Sequence, residues 1–177
     1  MEFPERLIEG YRNFCRGRLA IEQECYRTLA DIGQQPETMI VGCCDSRVSP
    51  EIIFDAGPGE LFVVRNVANL VPPYSPSGLA HGVSAALEFA VVGLRVRHIV
   101  VLGHARCGGI RAFATREPPL SSGDFIGQWM SLIARTRSLM TPQARAENVR
   151  WRHQPAKPAA PSTRPAATAP TTAESGD

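Results

Sequence analysis

Two short apolar runs, each ending in a cluster of metal-binding side chains, constrain this chain more than any other feature. The first, Met39-Ile40-Val41, leads into Gly42-Cys43-Cys44-Asp45-Ser46-Arg47-Val48. The second, Ile99-Val100-Val101-Leu102-Gly103, leads into His104-Ala105-Arg106-Cys107-Gly108-Gly109. Short continuous apolar runs bounded by turn residues read as buried strands. Helical patterns lie between them. Alternating strands and helices predict an α/β fold, a mainly parallel β-sheet flanked by crossover helices. Ligands of such sheets bind at the carboxyl ends of the strands, and both clusters fall there.

The rest of the chain fits that frame. Residues 3–17 place Leu7, Tyr11 and Phe14 on one helical face, with Pro4 suited to a first turn; residues 18–32 repeat the pattern with Ile21, Cys25 and Leu29. Cys15 and Cys25 are expected to pack as small hydrophobes. Gly33-Gln34-Gln35-Pro36 ends the helix, and strand one follows over 38–43. A short helix is expected between Val48 and Asp55, a turn at Gly57-Pro58-Gly59 and strand two over Leu61–Asn66. A Pro-rich loop over 69–78, a helix over 79–93 and strand three over 97–103 come next. Beyond Gly109 the pattern predicts a short helix to Thr115, a loop over 117–123, a helix over 124–139 carrying Trp129, Leu132 and Ile133, and a helical segment over 142–151. From Gln154 to Asp177 there is no aromatic residue and no Leu, Ile or Val. Such a stretch cannot bury enough apolar surface to offset its ordering entropy. The chain therefore divides into a metal-binding domain, 1–152, and a disordered Pro/Ala/Thr-rich tail, 153–177.

Composition excludes several classes. A net charge of +2 without a block of like charges offers nothing to nucleic acid or to a membrane surface. No run approaches the roughly 20 apolar residues of a membrane span, and the acidic start is no secretion signal. An odd count of 5 cysteines without such a signal argues against a disulfide framework and for a reducing, cytoplasmic setting.

Thiolate and imidazole are zinc ligands, and a catalytic zinc keeps one position open for water. His104 and Cys107 form a pair in one tight loop, and Cys43-Cys44 supplies the third donor. Side chains alternate along an extended segment, so both adjacent cysteines cannot face one ion. Spacing leaves the choice between them open. A redox pair of Cys43 with Cys44 would need strained geometry. His81, His98 and His153 read as surface or capping groups. Two thiolates nearly cancel the charge of the ion, so its water needs help nearby. Arg47 can hold the Asp45 carboxylate in a two-pronged pair and keep it ionised. Asp45 can then accept a hydrogen bond from zinc-bound hydroxide, or become a fourth ligand and close the site.

Cys43-Cys44-Asp45-Ser46-Arg47, followed by His104-Ala105-Arg106-Cys107, closely resembles the signature of the β-class carbonic anhydrases, Cys-x-Asp-x-Arg and His-x-x-Cys. The likeness runs from about Leu7 to Asn148 and includes Gly59 to Asn69. The resemblance implies Cys43, His104 and Cys107 as zinc ligands, with Cys44 in a place often held by serine. It implies reversible hydration of carbon dioxide to bicarbonate, with catalytic roles for Asp45 and Arg47. Gln34, Phe62, Val67, Phe89 and Gly108 match substrate-binding positions, Gln34 reaching the neighbouring subunit's substrate. Homodimers or higher homo-oligomers are implied, with N-terminal helices wrapped over the partner. An inhibitory bicarbonate site of some members uses a tryptophan where this chain has Ile40; its arginine corresponds to Arg65, and the site is not expected here. The family pattern continues past Asn148 with a further strand and a closing helix that this chain lacks, so an open sheet edge and an uncovered apolar surface are expected. Two other readings keep the same ligands: a zinc-binding homologue with impaired turnover, and a carbonyl sulfide or carbon disulfide hydrolase.

Overall fold

The structure is a computed structural model that describes residues 2–76 and 82–139. The predicted segment 142–151, the tail, His81, His153 and the first residues of the predicted 79–93 helix lie outside them. Three strands form one parallel sheet: β1 (Thr38–Cys43) in the centre, β2 (Leu61–Asn66) on one side and β3 (His98–Leu102) on the other. The register pairs Cys43 with Asn66 and Gly42 with Leu102, so all three strands finish at one level. The apolar run of β1 is explained by its position. Met39, Ile40 and Val41 are almost fully buried.

The helices are α1 (Glu5–Arg16), α2 (Arg18–Ile21), α3 (Gln23–Ile32), α4 (Pro50–Ile53), α5 (Gly82–Glu88), α6 (Gly108–Thr115) and α7 (Phe125–Met130). Two apolar clusters hold α5, α6 and α7 to the sheet. One joins Met39, Val41 and Ala90 to Phe62, Val64 and Leu87. The other contains Cys43, Ala68, Leu70, Cys107 and Met130, with Val67, Trp129 and Ile133 against it. The second core is thus built around two cysteines at strand ends.

Several expectations need correction. The helix predicted over 18–32 breaks at Glu22, where α2 gives way to α3 and the Arg18 guanidinium holds the Glu22 carboxylate at 2.9 Å. Cys25 is exposed rather than packed, because no residue of α3 is buried by the described chain; its thiol lies 3.8 Å from the Pro58 carbonyl. The helix over 124–139 is α-helical only through Met130 and continues as a 3₁₀ stretch over Ser131–Leu139. The Ser131 and Thr136 hydroxyls bond carbonyls three residues back, Gln128 and Ile133, at 2.7 Å each, which accompanies that tighter winding. After Glu88, α5 widens into a π turn, Phe89–Gly93.

Two apolar surfaces have no cover among the described residues. Helices α1 to α3 bury none of their side chains, and Leu7 and Tyr11 stand 44% and 68% exposed. An edge-to-face contact of Phe14 with Tyr26, centroids 6.3 Å apart, ties α1 to α3. On β3, Ile99, Val100 and Val101 are exposed and the outer edge is unpaired among the described residues, as expected. None of the described helices is long and apolar enough to cross a membrane.

Ile40, 2% exposed at the middle of the central strand, is the simplest test of this packing. Ile40→Ala should destabilise the fold by about 2–5 kcal/mol, read from the midpoint and slope of urea unfolding.

Candidate metal centre

The centre is made where β1 and β3 stop. Cys43 is the last residue of β1, and its side chain turns into the second core with 5% exposure. Cys44 points the other way, into solvent. This is the alternation expected of an extended segment. The Cys44 N–H donates to the Asn66 carbonyl at 2.9 Å, so the chain stays on the sheet until it turns at Asp45. The Arg65 guanidinium holds that turn from beneath, donating through Nε to the Cys43 carbonyl (2.9 Å) and through Nη2 to the Asp45 carbonyl (2.7 Å).

The second loop leaves β3 through Gly103, turns at Arg106 (φ 58°) and enters α6 with Cys107 as its N-cap. The loop can lie this close because Gly109 has no side chain. A Cβ there would stand 2.9 Å from Val67 Cγ1 and 3.2 Å from Ala68 Cβ.

The sulfurs of Cys43 and Cys107 end 3.8 Å apart. With one ring nitrogen of His104, the three donor atoms lie within 4.8 Å of one another. Two metal–sulfur bonds of ~2.3 Å at a tetrahedral angle span about 3.8 Å, so the sulfur spacing suits zinc. His104 Nδ1 lies 3.0 Å from the Ala105 carbonyl, which can accept a hydrogen bond from an Nδ1–H. Nε2 is buried and has no hydrogen-bond partner among the described residues. A buried lone pair without a partner is costly unless something electrophilic meets it. The donor set fits a soft divalent cation.

The two thiols are not equivalent. Burial pushes the Cys43 thiol up, but the Asp45 N–H, the His104 ring, the Ala68 N–H and Cys107 outweigh it and bring it below its ordinary value. Burial raises Cys107, and the neighbouring Cys43 adds to that against the N–H groups of Ile110 and Gly109. Of the two, Cys43 is the one whose surroundings favour the thiolate.

Arg47 and Asp45 form the expected fork. Nε donates to Oδ1 at 2.8 Å, Nη2 to Oδ2 at 2.7 Å, and the Arg47 backbone N–H adds a third bond to Oδ1 at 3.0 Å. Nη2 also reaches the Arg106 carbonyl at 3.1 Å, which links the two ligand loops. The fork, and after it the Arg47 N–H, holds the Asp45 carboxyl far below the usual carboxylate range.

The remaining residues singled out in the sequence divide in two. Val67 and Gly108 lie beside the centre, on the wall of a cleft of about 600 Å³ between α6 and α7. Phe62 and Phe89 touch each other, centroids 5.8 Å apart, in the other core. Phe62 sits opposite Met39, four residues and so roughly 13 Å along β2 from the Asn66 level. Gln34 is exposed in the connection entering β1 from its far end. Within one chain these three do not reach the sulfurs. Sequence reasoning missed the loop link to Arg106, the Arg65 brace, and a bond from Trp129 Nε1 to the Val67 carbonyl at 2.7 Å. Backbone acceptors leave no residue signature, and Trp129 reads as an ordinary apolar helix residue.

The family described as carbonic anhydrase matches residues 38–160. A curated relative, β-carbonic anhydrase 5, chloroplastic, of Arabidopsis thaliana, is 43% identical over 131 residues, 74% of this chain and 42% of its own length. The chain spans about half the length of the curated relatives it matches. Among solved structures, the β-carbonic anhydrase CcaA superposes with a TM-score of 0.71 at 30% identity, covering 81% of this chain and 66% of that one. One of the two tetrameric β-carbonic anhydrases of Sordaria macrospora gives 0.61 at 28%, covering 82% and 73%.

The depressed Asp45 pKa has a definite sign. Its ionised form is favoured by folding, so the contribution is present above the ordinary carboxylate value near ~4 and is lost as pH falls through the folded value. The Asp45 carboxyl carbon should show no titration by NMR between pH 9 and pH 4. In Arg47→Ala its titration should move up towards about 4.

Proposed function

The chain belongs to the β-carbonic anhydrase family, and from that premise we propose that it hydrates carbon dioxide reversibly to bicarbonate at a zinc centre held by Cys43, His104 and Cys107. The observation that carries the reading is the convergence of two sulfurs and one buried, unpartnered imidazole nitrogen from two separate strand ends. Zinc bound there would lower the pKa of a water and so supply the nucleophile at neutral pH.

The protein's own groups do the rest. Asp45, ionised by the Arg47 fork, accepts a hydrogen bond from the attacking oxygen and so orients it. Arg47 holds Asp45 off the metal and, through the Arg106 carbonyl, keeps the two ligand loops in one arrangement. Val67, on the cleft wall beside Gly108, offers carbon dioxide an apolar surface and excludes competing water. Gln34, Phe62 and Phe89 serve a neighbouring subunit's centre. Their distance from their own sulfurs and the uncovered faces of α1 to α3 both support a homo-oligomer. Five free cysteines favour a reducing compartment, such as the cytoplasm.

The exposed Ile99–Val101 face supports a second reading, a zinc-binding subunit without useful turnover on its own. Stopped-flow hydration of carbon dioxide by zinc-loaded chain separates the two, run beside metal analysis and sizing. The first reading expects about one zinc per chain and catalysis, near-complete loss in Cys43→Ser or His104→Ala, and a loss of about 10²-fold or more in kcat for Asp45→Asn. Stoichiometric zinc without turnover above buffer would establish the second reading and sink the first.

A further inference from the structure

We propose that Arg65 selects the sulfur used by the metal centre: it is a positioning residue that presents Cys43, and not Cys44, to the metal. The inference rests on reading Cys43, His104 and Cys107 as the metal-binding set. Two adjacent thiols are a hazard at such a site, because either is a competent donor. In an extended segment they face opposite ways, so the chain has to be held in one of two arrangements. The apolar part of β1 does not hold it. Met39, Ile40 and Val41 are all buried, and a shift of one residue sets apolar groups against apolar groups again.

Arg65 supplies the hold. It pairs with Gly42 in the sheet, one residue before Cys43. Gly42 is buried and leaves a path for the arginine stem: a Cβ there would stand 3.8 Å from Arg65 Cγ and 3.5 Å from Pro50 Cγ. The guanidinium then donates through Nε to the Cys43 carbonyl at 2.9 Å and through Nη2 to the Asp45 carbonyl at 2.7 Å. Carbonyls two residues apart on an extended chain point the same way, as side chains do. A fork set for residues 43 and 45 therefore rejects the arrangement that turns Cys44 inward, which would offer it carbonyls of the other parity. The peptide between the two cysteines is held at both ends. Its carbonyl takes the Arg65 Nε–H, and its N–H, that of Cys44, donates to the Asn66 carbonyl at 2.9 Å. The Asp45 carbonyl also accepts the Val48 N–H at 3.1 Å, which closes the turn just beyond. Lysine, a single point charge on a flexible stem, cannot hold two carbonyls in fixed directions.

A general structural brace is the competing explanation. It would lower stability without changing which sulfur binds. The test combines Cys43→Ser and Cys44→Ser, singly, with Arg65, Arg65→Lys or Arg65→Ala. Zinc affinity is read by competition with a chromophoric chelator, and the donor by protection of Cys44 from iodoacetamide, mapped by mass spectrometry. With Arg65 in place, Cys43→Ser should weaken zinc binding by about 100-fold or more relative to Cys44→Ser, and Cys44 should be alkylated whether or not zinc is present. In Arg65→Lys or Arg65→Ala that gap should shrink by about 10-fold or more, and zinc should now protect Cys44 in the Cys43→Ser chain. Cys44 that stays reactive in every background would overturn the selection. So would loss of fold in both Arg65 variants, read by far-UV circular dichroism, since Arg65 would then hold the domain as a whole. A wild-type chain that takes no zinc removes the metal centre and the selection with it; normal wild-type binding beside an unprotected Cys44 removes the selection alone.

Discussion

The hydrogen-bonded register between β1 and β3 is the constraint on which everything else here depends. Gly42 pairs with Leu102, so the two chains leave the sheet at the same level, one residue before Cys43 and two before His104. A slip of one residue would reverse every side chain on the strand. Cys43 would then face solvent and Cys44 the core. Met39, Ile40 and Val41 are apolar and buried on both faces and do not tell the two registers apart; the Arg65 guanidinium on the Cys43 and Asp45 carbonyls and the Cys44 N–H on the Asn66 carbonyl pin the strand end instead. Thus the residues that carry no chemistry decide which of two adjacent thiols takes part in it.

What the register brings together then has to be tolerated. Two thiols 3.8 Å apart in an apolar core resist ionising together. The protein answers with backbone donors. N–H groups of Asp45 and Ala68 face Cys43, while those of Gly109 and Ile110 face Cys107. Around this shell lie braces that touch no donor atom: Arg65 on the carbonyls of the first loop, Arg47 between the loops, Asn66 across the left-handed turn. Arg47 and Arg65 are planar donors committed to fixed acceptors, work for which the fork of guanidinium is suited and an ammonium is not.

Much of this was legible in the chain itself. The strands were bounded to within a residue because short apolar runs between turn residues have few alternatives. His104, Cys107 and the Cys43-Cys44 pair declared themselves by chemistry and by their place after strands, Cys43 being singled out only by the family resemblance, and the Asp45–Arg47 pair by its spacing. The helices were less well read. Their terminations depend on hydroxyl-to-carbonyl bonds such as those of Ser131 and Thr136, which periodicity does not encode. Cys25 was misplaced because an amphipathic face says that something should cover it, not that the same chain will. Trp129 was hidden for the opposite reason: its apolar ring gives a sufficient account of it until the indole nitrogen is seen against Val67.

The second core has two cysteines among its five buried members, joined across the two halves of the sheet. A metal held between them would be a structural clip as well as a reagent, fastening segments far apart in sequence. The folded population would then track the free metal of the surroundings. Once binding is above its midpoint, each tenfold rise in free zinc would add about 1.4 kcal/mol to the folded state. Scarcity of the ion would be felt first as loss of the protein itself, through unfolding and turnover of the chain, rather than as an intact enzyme waiting for its cofactor.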